Sequence, residues 1–253
     1  ASKRRNLILR LSSEVEDMVG VRLIKWAQAG KRSYNSIGIK NGRRRRSQSR
    51  RESSMKCTKK ELVSELLEIV GEAGLRTDPA DLENYGKDWT KFVKPAPVAV
   101  VLPASTEEVV ALVKLAKRLE LALVPSGGRT GLSGGAVAPA GELVVAFDRM
   151  NKILDFDASD RLVVCQPGVV TEQLQQFAEN EGLFYPVDFA SSGSSQLGGN
   201  VATNAGGIKV IRYGMARQWV AGMKVVTGNL RRRSIRTNTE SFGSNSKSSH
   251  EPR

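Results

Sequence analysis

The stretch VPSGGRTGLSGGA, from Val124 to Ala136, is the part of the sequence that says most about the fold. It contains five glycines, one arginine and no acidic residue. Because glycine lacks a Cβ atom and reaches positive φ at little cost, such a loop lets backbone N–H groups converge on a phosphate. Arg129 adds a positive charge, and Thr130 and Ser133 add hydroxyl donors. The loop follows an apolar run, Leu121–Val124, that is typical of a buried strand. We therefore interpret it as an anion-binding loop.

The spacing of the glycines excludes two common nucleotide-binding patterns. The loop lacks the Gly-Lys-Ser/Thr ending of a Walker A motif, and Gly127, Gly128 and Gly131 do not stand at GxGxxG offsets. The alternative interpretation is a glycine-rich turn between two strands. Five glycines are costly in backbone entropy for a turn alone, so the anion-binding interpretation is favoured.

A second glycine cluster, SSGSSQLGGNVATNAGG, runs from Ser191 to Gly207. Two such clusters in one domain suggest a long ligand that is held at two places, such as a dinucleotide. Glycines in a strand permit close approach of a backbone or a ligand, so we expect this cluster to form a strand-rich wall. Asn200, Thr203 and Asn204 would suit the donor and acceptor edge of a flat heterocycle.

The excess positive charge lies at the two ends of the 253-residue chain, whose formal net charge is +13. Residues 1–54 carry a net charge of +11 and residues 230–253 a net charge of +4, whereas residues 55–229 carry −2. Basic arms bind nucleic acid or anionic lipid in some proteins and are solvated, disordered tails in others. We expect disordered flanks and no nucleic-acid partner, because the central block is not basic.

The remaining composition is typical of a reducing compartment. The two cysteines, Cys57 and Cys165, form neither a disulfide framework nor a metal-ligand pattern. No run of about 18 apolar residues occurs, so no transmembrane segment is expected. The N-terminal residues also lack the order of a secretory signal. We expect a cytoplasmic protein without a metal, and peripheral association with a membrane stays open.

The central block alternates between strand and helix patterns, which predicts an α+β domain with one dominant core. Helices are predicted to begin near Lys60, Ser105 and Thr171, with Ser105 and Thr171 as N-caps. Gly71 and Gly74 are predicted to end the first of these helices. Strands are predicted at Val98–Leu102, Leu121–Val124, Leu143–Phe147, Ile153–Phe156, Leu162–Cys165 and Met223–Val226.

Most of the sequence between Asp81 and Gly228 resembles the FAD-binding domain of the vanillyl-alcohol-oxidase and p-cresol-methylhydroxylase (PCMH-type) flavoproteins. It is most similar to their FAD-linked oxidase branch, which includes glycolate oxidase, D-lactate dehydrogenases and D-2-hydroxyglutarate dehydrogenase. The resemblance implies a fold of two small α/β subdomains. The stretches that carry it are PVAVVLPAS at Pro97–Ser105, the two glycine clusters, and Arg212-Tyr213-Gly214 followed by a strand at Val220–Gly228.

The resemblance also implies a role for particular residues. Backbone donors would wrap the FAD pyrophosphate at Gly127, Gly128, Arg129, Thr130 and Gly131, and the contact would continue at Ser133 and Gly134. The isoalloxazine side would be lined by Pro186, Ser192, Gly193, Gly199, Asn200, Thr203 and Asn204. Members that bind flavin covalently use a histidine in the first cluster. None stands there, and the only histidine is His250, so the resemblance implies non-covalent FAD.

The sequence departs from this family at both ends. Family members continue into more of the FAD domain and then into a large substrate-binding cap that supplies histidines and acidic residues. After Gly228 no strand or helix pattern follows and no part of the family pattern matches. We therefore expect residues 55–229 to form a partial FAD-binding domain, incomplete at its C-terminal end and apparently truncated. Residues 1–54 are expected to be a disordered basic extension and residues 230–253 a disordered basic tail.

The resemblance implies a flavin-dependent enzyme that oxidises a 2-hydroxy acid, of the glycolate or D-lactate type, by hydride transfer to flavin. It identifies no catalytic base and no electron acceptor, and it leaves open whether the protein has partner subunits. Tyr185, Lys209, Arg212 and Tyr213 are polar candidates near the flavin wall, each of them more typical of a structural or surface role. Two alternatives stay open: an inactive truncated fragment, and a nucleotide-binding module whose basic arms contact nucleic acid.

Overall fold

The computed structural model describes residues 57–90 and 92–228, together with the backbone of four strands in the flanks. These strands are Arg5–Asn6 (β1), Ile8–Arg10 (β2), Gly20–Val21 (β3) and Arg232–Arg236 (β12). The predictions for the remainder of residues 1–54 and 230–253 fall outside the described residues. The described part of the chain mixes helices and strands, which confirms the predicted α+β class.

The helices and strands between the flanks follow the alternation that the sequence predicts. The helices are Lys59–Gly74 (α1), Pro79–Tyr85 (α2), Thr106–Leu119 (α3), Thr171–Asn180 (α4), Leu197–Thr203 (α5) and Val210–Tyr213 (α6), with a 3₁₀ turn at Ala216–Trp219. The strands are Leu75–Arg76 (β4), Ala99–Val101 (β5), Leu123–Ser126 (β6), Leu143–Ala146 (β7), Ile153–Asp157 (β8), Leu162–Cys165 (β9), Leu183–Phe184 (β10) and Val220–Val226 (β11).

The first sheet has the order β4-β5-β7-β6, with β5, β7 and β6 parallel and β4 antiparallel at one edge. Strand β7 is buried along its whole length, as expected for an inner strand with both faces covered. Helices α1 and α3 pack on one face through Leu62, Leu66 and Leu112. Leu82 and Tyr85 of α2 cover the other face, where they contact the cluster around Val144. The helix–sheet–helix sandwich fixes the end of β6, where the glycine loop begins.

Local signals account for the ends of the first helices. A capping box starts α1, in which the Thr58 hydroxyl accepts a hydrogen bond from the backbone N–H of Glu61. Gly71, at φ +65°, kinks this helix, which then continues to Gly74 and does not end at Gly71. Ser105 caps α3 as predicted, because its Oγ accepts from the backbone N–H of Glu108 at 3.2 Å.

The second sheet has the order β12-β11-β2-β9-β8, and β3 also pairs with β11. Strand β2 lies between β9 and β11 and is parallel to both, whereas β8 and β12 are antiparallel to their neighbours. Helix α4 packs on this part of the fold through Leu174 and Ala178, which join a core cluster with Cys165. Thr171 is not the N-cap of α4: Val170 holds that position, and the buried Thr171 hydroxyl bonds to Ser195 instead.

Two strands differ from the sequence prediction for reasons of pairing. Strand β6 runs from Leu123 to Ser126, two residues later than predicted, because Pro125 and Ser126 still pair with β7. No strand pattern follows Gly228, yet Arg232–Arg236 pairs with β11 over five positions. Backbone hydrogen bonding to the edge of a sheet depends little on side chains, so hydrophobic periodicity does not find such a strand.

Candidate functional site

The glycine loop leaves the parallel sheet at the end of β6. Ser126, the last residue of this strand, is fully buried, and its Oγ donates to the backbone carbonyl of Tyr85 at 3.3 Å. Helix α2 and strand β6 therefore fix the point at which the loop starts. Backbone N–H groups that follow a strand in this way are free of the sheet ladder and can bind a ligand.

The structure brings the two glycine clusters into contact. A Cβ atom added at Gly128 would lie 1.9 Å from the carbonyl oxygen of Ser194 and 2.8 Å from Cα of Ser195. A Cβ atom at Gly127 would lie 3.5 Å from Oε1 of Gln196. Only glycine allows the two backbones to come this close. Residues more than sixty positions apart in the sequence therefore form one continuous backbone surface.

Arg129 turns its side chain back toward the protein. Its backbone has a φ of +58°, which is unusual for a residue with a side chain. Its Nη1 donates to the carbonyl of Gly127 at 3.0 Å and lies 3.9 Å from Oδ2 of Asp148. The guanidinium carbon stands 4.5 Å from the centre of the Tyr85 ring. Burial raises the pKa of the Asp148 carboxyl, and the charge of Arg129 acts in the opposite direction.

The far end of the loop lies against the segment that follows α2. The backbone N–H of Trp89 donates to the carbonyl of Gly131 at 3.0 Å. Gly134, at φ +74°, places its Cα so that a Cβ atom would lie 3.9 Å from Oγ1 of Thr90. Thr130 is half-buried, whereas Gly131 and Ser133 are exposed. The exposed part of the loop therefore includes Gly131 and Ser133, two of the residues predicted to contact a pyrophosphate.

The second cluster forms a helix where the sequence predicted a strand-rich wall. Residues Leu197–Thr203 are α5, and Gly198 packs so closely on Pro167 that a Cβ atom would lie 2.7 Å from the proline Cβ. Gly199 has no atom within 4 Å of the corresponding position. Glycine has a low helix propensity, so the sequence did not predict a helix here. Packing against the rest of the domain overrides that propensity.

The side chain of Asn200 is part of a buried polar network. Its Nδ2 donates to Oγ1 of Thr171 at 2.7 Å, and Thr171 Oγ1 lies 2.8 Å from Oγ of Ser195. All three residues are buried. From the sequence, Asn200 was expected to face a flat heterocyclic ligand. Nothing in the sequence indicated that Thr171 and Ser195 would form hydrogen bonds in a network with it. The network ties α4 to the segment that contacts Gly128.

Thr203 and Asn204 also bond to the protein itself. Thr203 Oγ1 donates to the carbonyl of Gly199 at 2.8 Å. Asn204 ends α5 in the left-handed conformation, at φ +50°. Its Oδ1 accepts from the backbone N–H of Arg217 at 3.1 Å, and its Nδ2 lies 3.1 Å from the sulfur of Met215. Asn204 therefore positions the 3₁₀ turn against α5.

Three other predicted residues remain, and two of them contact α4. Pro186 is buried. The carbonyl of Ser192 accepts from the backbone N–H of Glu172 at 3.1 Å. A Cβ atom at Gly193 would lie 3.1 Å from Oε2 of Glu172. Ser192 and Gly193 immediately precede Ser194, so they join α4 to the point where the two glycine clusters meet.

The four polar residues that were considered near the expected flavin wall all contact other parts of the protein. Tyr185 is almost fully buried, and burial raises the pKa of its hydroxyl. Nζ of Lys209 lies 2.9 Å from Oδ2 of Asp188. The ring of Tyr213 packs edge to face on Phe184, and Arg212 lies over the Tyr213 ring. None of these contacts resembles a base that is activated for proton transfer.

Several buried polar atoms near the loop have no hydrogen-bond partner within the described residues. They are Oε1 of Gln196, Oδ2 of Asp148, Oδ2 of Asp88 and Oγ1 of Thr90. Unpaired buried polar atoms are uncommon, and a bound ligand is one way to satisfy them. The amide oxygen of Gln196 and the hydroxyl of Thr90 suit the polar groups of a dinucleotide. The carboxylates of Asp88 and Asp148 could accept hydrogen bonds from its hydroxyl groups but not from its phosphates.

Other kinds of site receive no support from the described part of the chain. Among residues 57–90 and 92–228, no three histidine, cysteine, aspartate or glutamate side chains gather as a metal site would require. No helix within the same residues has the length and apolar character needed to cross a membrane.

Comparison with known proteins identifies the kind of domain. The model of the FAD binding domain family matches residues 97–231, which include both glycine clusters. The chain belongs to the FAD-binding domain family. The matched residues include both sides of the contact between Gly128 and Ser194. FAD is therefore its cofactor, as the sequence resemblance implied.

Individual relatives agree with this assignment. D-2-hydroxyglutarate dehydrogenase of Stutzerimonas stutzeri (strain A1501) is 65% identical over 167 residues, which are 66% of this chain and 36% of the relative. An alkyldihydroxyacetonephosphate synthase structure has a TM-score of 0.62 at 25% identity and covers 72% of this chain and 35% of its own. A p-cresol methylhydroxylase structure has a TM-score of 0.59 at 22% identity over 74% of this chain and 36% of its own.

These similarities confirm the PCMH-type fold of the FAD-binding domain. They also show that the chain spans about a third of the length of the relatives that it matches. The catalytic activity of such relatives belongs to proteins that are nearly three times as long as the matched segment.

Proposed function

We propose that this FAD-binding domain is part of a flavin-dependent oxidoreductase that oxidises a 2-hydroxy acid. The observation that carries the proposal is the contact between the glycine clusters at Gly128 and Ser194, which joins the two backbones into one surface. The 65% identity to a D-2-hydroxyglutarate dehydrogenase supports the substrate class. Bound FAD would supply the hydride acceptor, and the residues of this chain would bind and orient it.

The glycine loop is proposed to hold the pyrophosphate. Backbone N–H groups between Gly127 and Gly131 would donate to phosphate oxygens, with the Ser133 hydroxyl and the N–H of Gly134 extending the contact. Binding is proposed to be non-covalent, since no histidine stands in either glycine cluster.

The second cluster is proposed to lie along the flavin ring. Gly199 offers an open backbone surface, and Gln196 offers a buried amide oxygen that has no hydrogen-bond partner in the described part of the chain. Asn200, Thr203 and Asn204 would act indirectly, because their side chains hold this segment in place. Pro186, Ser192 and Gly193 would support the same wall from the side of α4.

We propose D-2-hydroxyglutarate as the first substrate to examine, since relatives that match at 65% and 56% identity carry its name. Glycolate and D-lactate are smaller members of the same chemical class and serve as comparison substrates. A short 2-hydroxy acid lacks the second carboxylate, so relative rates would report whether that carboxylate is recognised.

The proposal is tested in two steps. The first step measures FAD binding to the 253-residue chain by quenching of flavin fluorescence, with riboflavin as a control that lacks the pyrophosphate. We expect saturable binding of FAD and much weaker binding of riboflavin. Equal affinity for the two compounds, or no binding of either, would contradict a pyrophosphate site.

The second step tests the substrate class. A chimera would carry residues 57–228 of this chain in place of the matching segment of the Stutzerimonas stutzeri relative. Reduction of its flavin by D-2-hydroxyglutarate under anaerobic conditions is the expected result, with slower reduction by glycolate and D-lactate. A chimera that binds FAD but accepts electrons from none of the three acids would refute the assignment to 2-hydroxy acid oxidation.

A further inference from the structure

Arg129 is the only cationic residue inside the glycine loop, Val124–Ala136. It donates back to the Gly127 carbonyl, lies over the Tyr85 ring and faces the Asp148 carboxylate. The side chain is 22% exposed. Three contacts from three separate segments therefore hold a residue whose backbone adopts an unfavourable positive φ.

We infer that Arg129 is a brace for the phosphate-binding loop and that Asp148 and Tyr85 are the positioning residues which hold the brace. This inference rests on the proposed FAD site. The guanidinium would act through the loop conformation, and the backbone N–H groups, not the guanidinium, would contact the phosphates.

The structure supports this role in two ways. First, the strained backbone of Arg129 persists only because surrounding contacts fix it, and its own guanidinium supplies the contact to Gly127. Second, Asp148 Oδ2 has no hydrogen-bond partner among residues 57–90 and 92–228, and it faces Arg129 at a distance that allows only a loose ion pair. A half-buried carboxylate beside an anion site repels phosphate, and the facing guanidinium of Arg129 offsets that charge.

The opposing model is that Arg129 is a direct phosphate ligand and that Asp148 competes for it. The two models make opposite predictions for Asp148→Asn, which removes the negative charge and keeps the shape of the side chain. If Arg129 is a brace, loss of the charge loosens the loop and weakens FAD binding. If Arg129 is a ligand, loss of the charge frees the guanidinium and strengthens binding.

The experiment measures FAD affinity for the full chain and for the variants Asp148→Asn, Arg129→Gln and their combination. We expect Asp148→Asn to weaken binding roughly tenfold, and Arg129→Gln to weaken it at least as much because it also loses the contacts to Gly127 and Tyr85. The double variant should be little weaker than Arg129→Gln alone, since that variant has already lost the ion pair with Asp148. We also expect the salt dependence of FAD binding to be the same in Arg129→Gln as in the unmodified chain. A direct ionic contact with phosphate would make the dependence shallower when it is removed.

Matched measurements separate a positioning role from general damage. Glu65→Gln removes one partner of the ion pair between Glu65 and Arg118, which joins α1 and α3 on the first sheet, and should leave FAD affinity unchanged. The Tm of the apo form of Asp148→Asn should not fall, since burial raises the pKa of this carboxyl and the neutral amide avoids that cost. A fall in Tm with no effect specific to FAD would indicate a structural role and overturn the inference.

A second readout decides the matter even without FAD. Trypsin cleaves after arginine, so the rate of cleavage between Arg129 and Thr130 in the apo chain reports how firmly the loop is held. We expect faster cleavage in Asp148→Asn than in the unmodified chain, and an equal rate would overturn the inference. Failure of the unmodified chain to bind FAD would count against the proposed function alone. Tighter FAD binding by Asp148→Asn would refute the brace and leave the FAD site intact.

Discussion

Replacement of Gly128 by alanine is the sharpest test of the contact between the two glycine clusters. The new Cβ atom would stand 1.9 Å from the carbonyl oxygen of Ser194, 2.7 Å from its carbonyl carbon and 2.8 Å from Cα of Ser195. Real Cβ atoms essentially never come closer than 3.0 Å to such an atom, so the two segments must separate by at least about 1.1 Å. All three obstructing atoms belong to the backbone, so no change of side-chain rotamer relieves the clash.

The size of the effect follows from this geometry. Overpacking of this kind costs about 1–3 kcal/mol. Gly128 does not have a positive φ, so alanine recovers about 0.4–1 kcal/mol by restricting the unfolded chain. We expect a net loss of roughly 1–2 kcal/mol, which for a chain of this size lowers the Tm by roughly 2–8 °C. A loop displaced by an ångström would also lose at least two charge-assisted hydrogen bonds to phosphate, which weakens FAD binding by roughly a hundredfold.

The assay combines urea unfolding of the apo chain with a fluorescence titration of FAD. Gly135→Ala is the matched control for the unfolding measurement: it lies in the same loop, has no positive φ and has no atom within 4 Å of the new Cβ. We expect Gly135→Ala to unfold at the same urea concentration as the unmodified chain, or slightly higher. If Gly128→Ala is as stable as this control and binds FAD as tightly as the unmodified chain, the two clusters do not touch and the case for a single site fails.

Four further predictions follow from individual residues. Gly199→Ala should stabilise α5 by up to about 1 kcal/mol in urea unfolding, yet weaken FAD binding if the flavin ring lies against that position. Thr106→Val should be neutral or raise the free energy of unfolding by up to about 1 kcal/mol, since it removes a fully buried hydroxyl without a partner. Of the two thiols, only Cys57 should react with a chromogenic disulfide at pH 8 in the native chain, because burial raises the pKa of Cys165 to about 12. Reaction of both thiols at equal rates would contradict this prediction. The advantage of Asp148→Asn in the free energy of unfolding should be largest at neutral pH and should vanish below pH 3.8. Burial raises the pKa of this carboxyl in the folded chain, against the opposing charge of Arg129, so its ionised form is the disfavoured one.

The sequence was sufficient to predict the elements whose signal is local. The capped start of α3 at Ser105 and the buried run at Leu143–Ala146 each depend on neighbouring residues, and both are present. The helix at Leu197–Thr203 and the strand at Arg232–Arg236 were missed. In the first case tertiary packing overrides the low helix propensity of glycine, and in the second a sheet edge provides pairing that no side-chain pattern encodes.

The candidate site was predictable to a similar extent. The glycine loop could be found because glycine and arginine in that spacing have few other uses. The contacts that orient the loop could not, because Asp148 and Tyr85 lie 19 and 44 positions away from Arg129 and belong to unremarkable stretches of sequence. Thr171 illustrates the same limit: its position suggested an N-cap, and only the fold shows that its hydroxyl holds Asn200 and Ser195 together.

The glycines of the two clusters divide according to the reason each must be glycine. Gly128 and Gly198 face backbone or side-chain atoms so closely that the fold itself excludes a Cβ atom. Gly134 has a positive φ, which disfavours a side chain on conformational grounds. Gly135 and Gly199 have neither constraint. Alanine at these positions would lose less backbone entropy on folding than glycine does, and at Gly199 it would also favour the helix. Packing within the described chain therefore does not explain why these two positions are glycine. A ligand that contacts their backbone would explain it. On this reasoning FAD should extend from the loop at Gly135 to the helix at Gly199, passing the point where Gly128 meets Ser194.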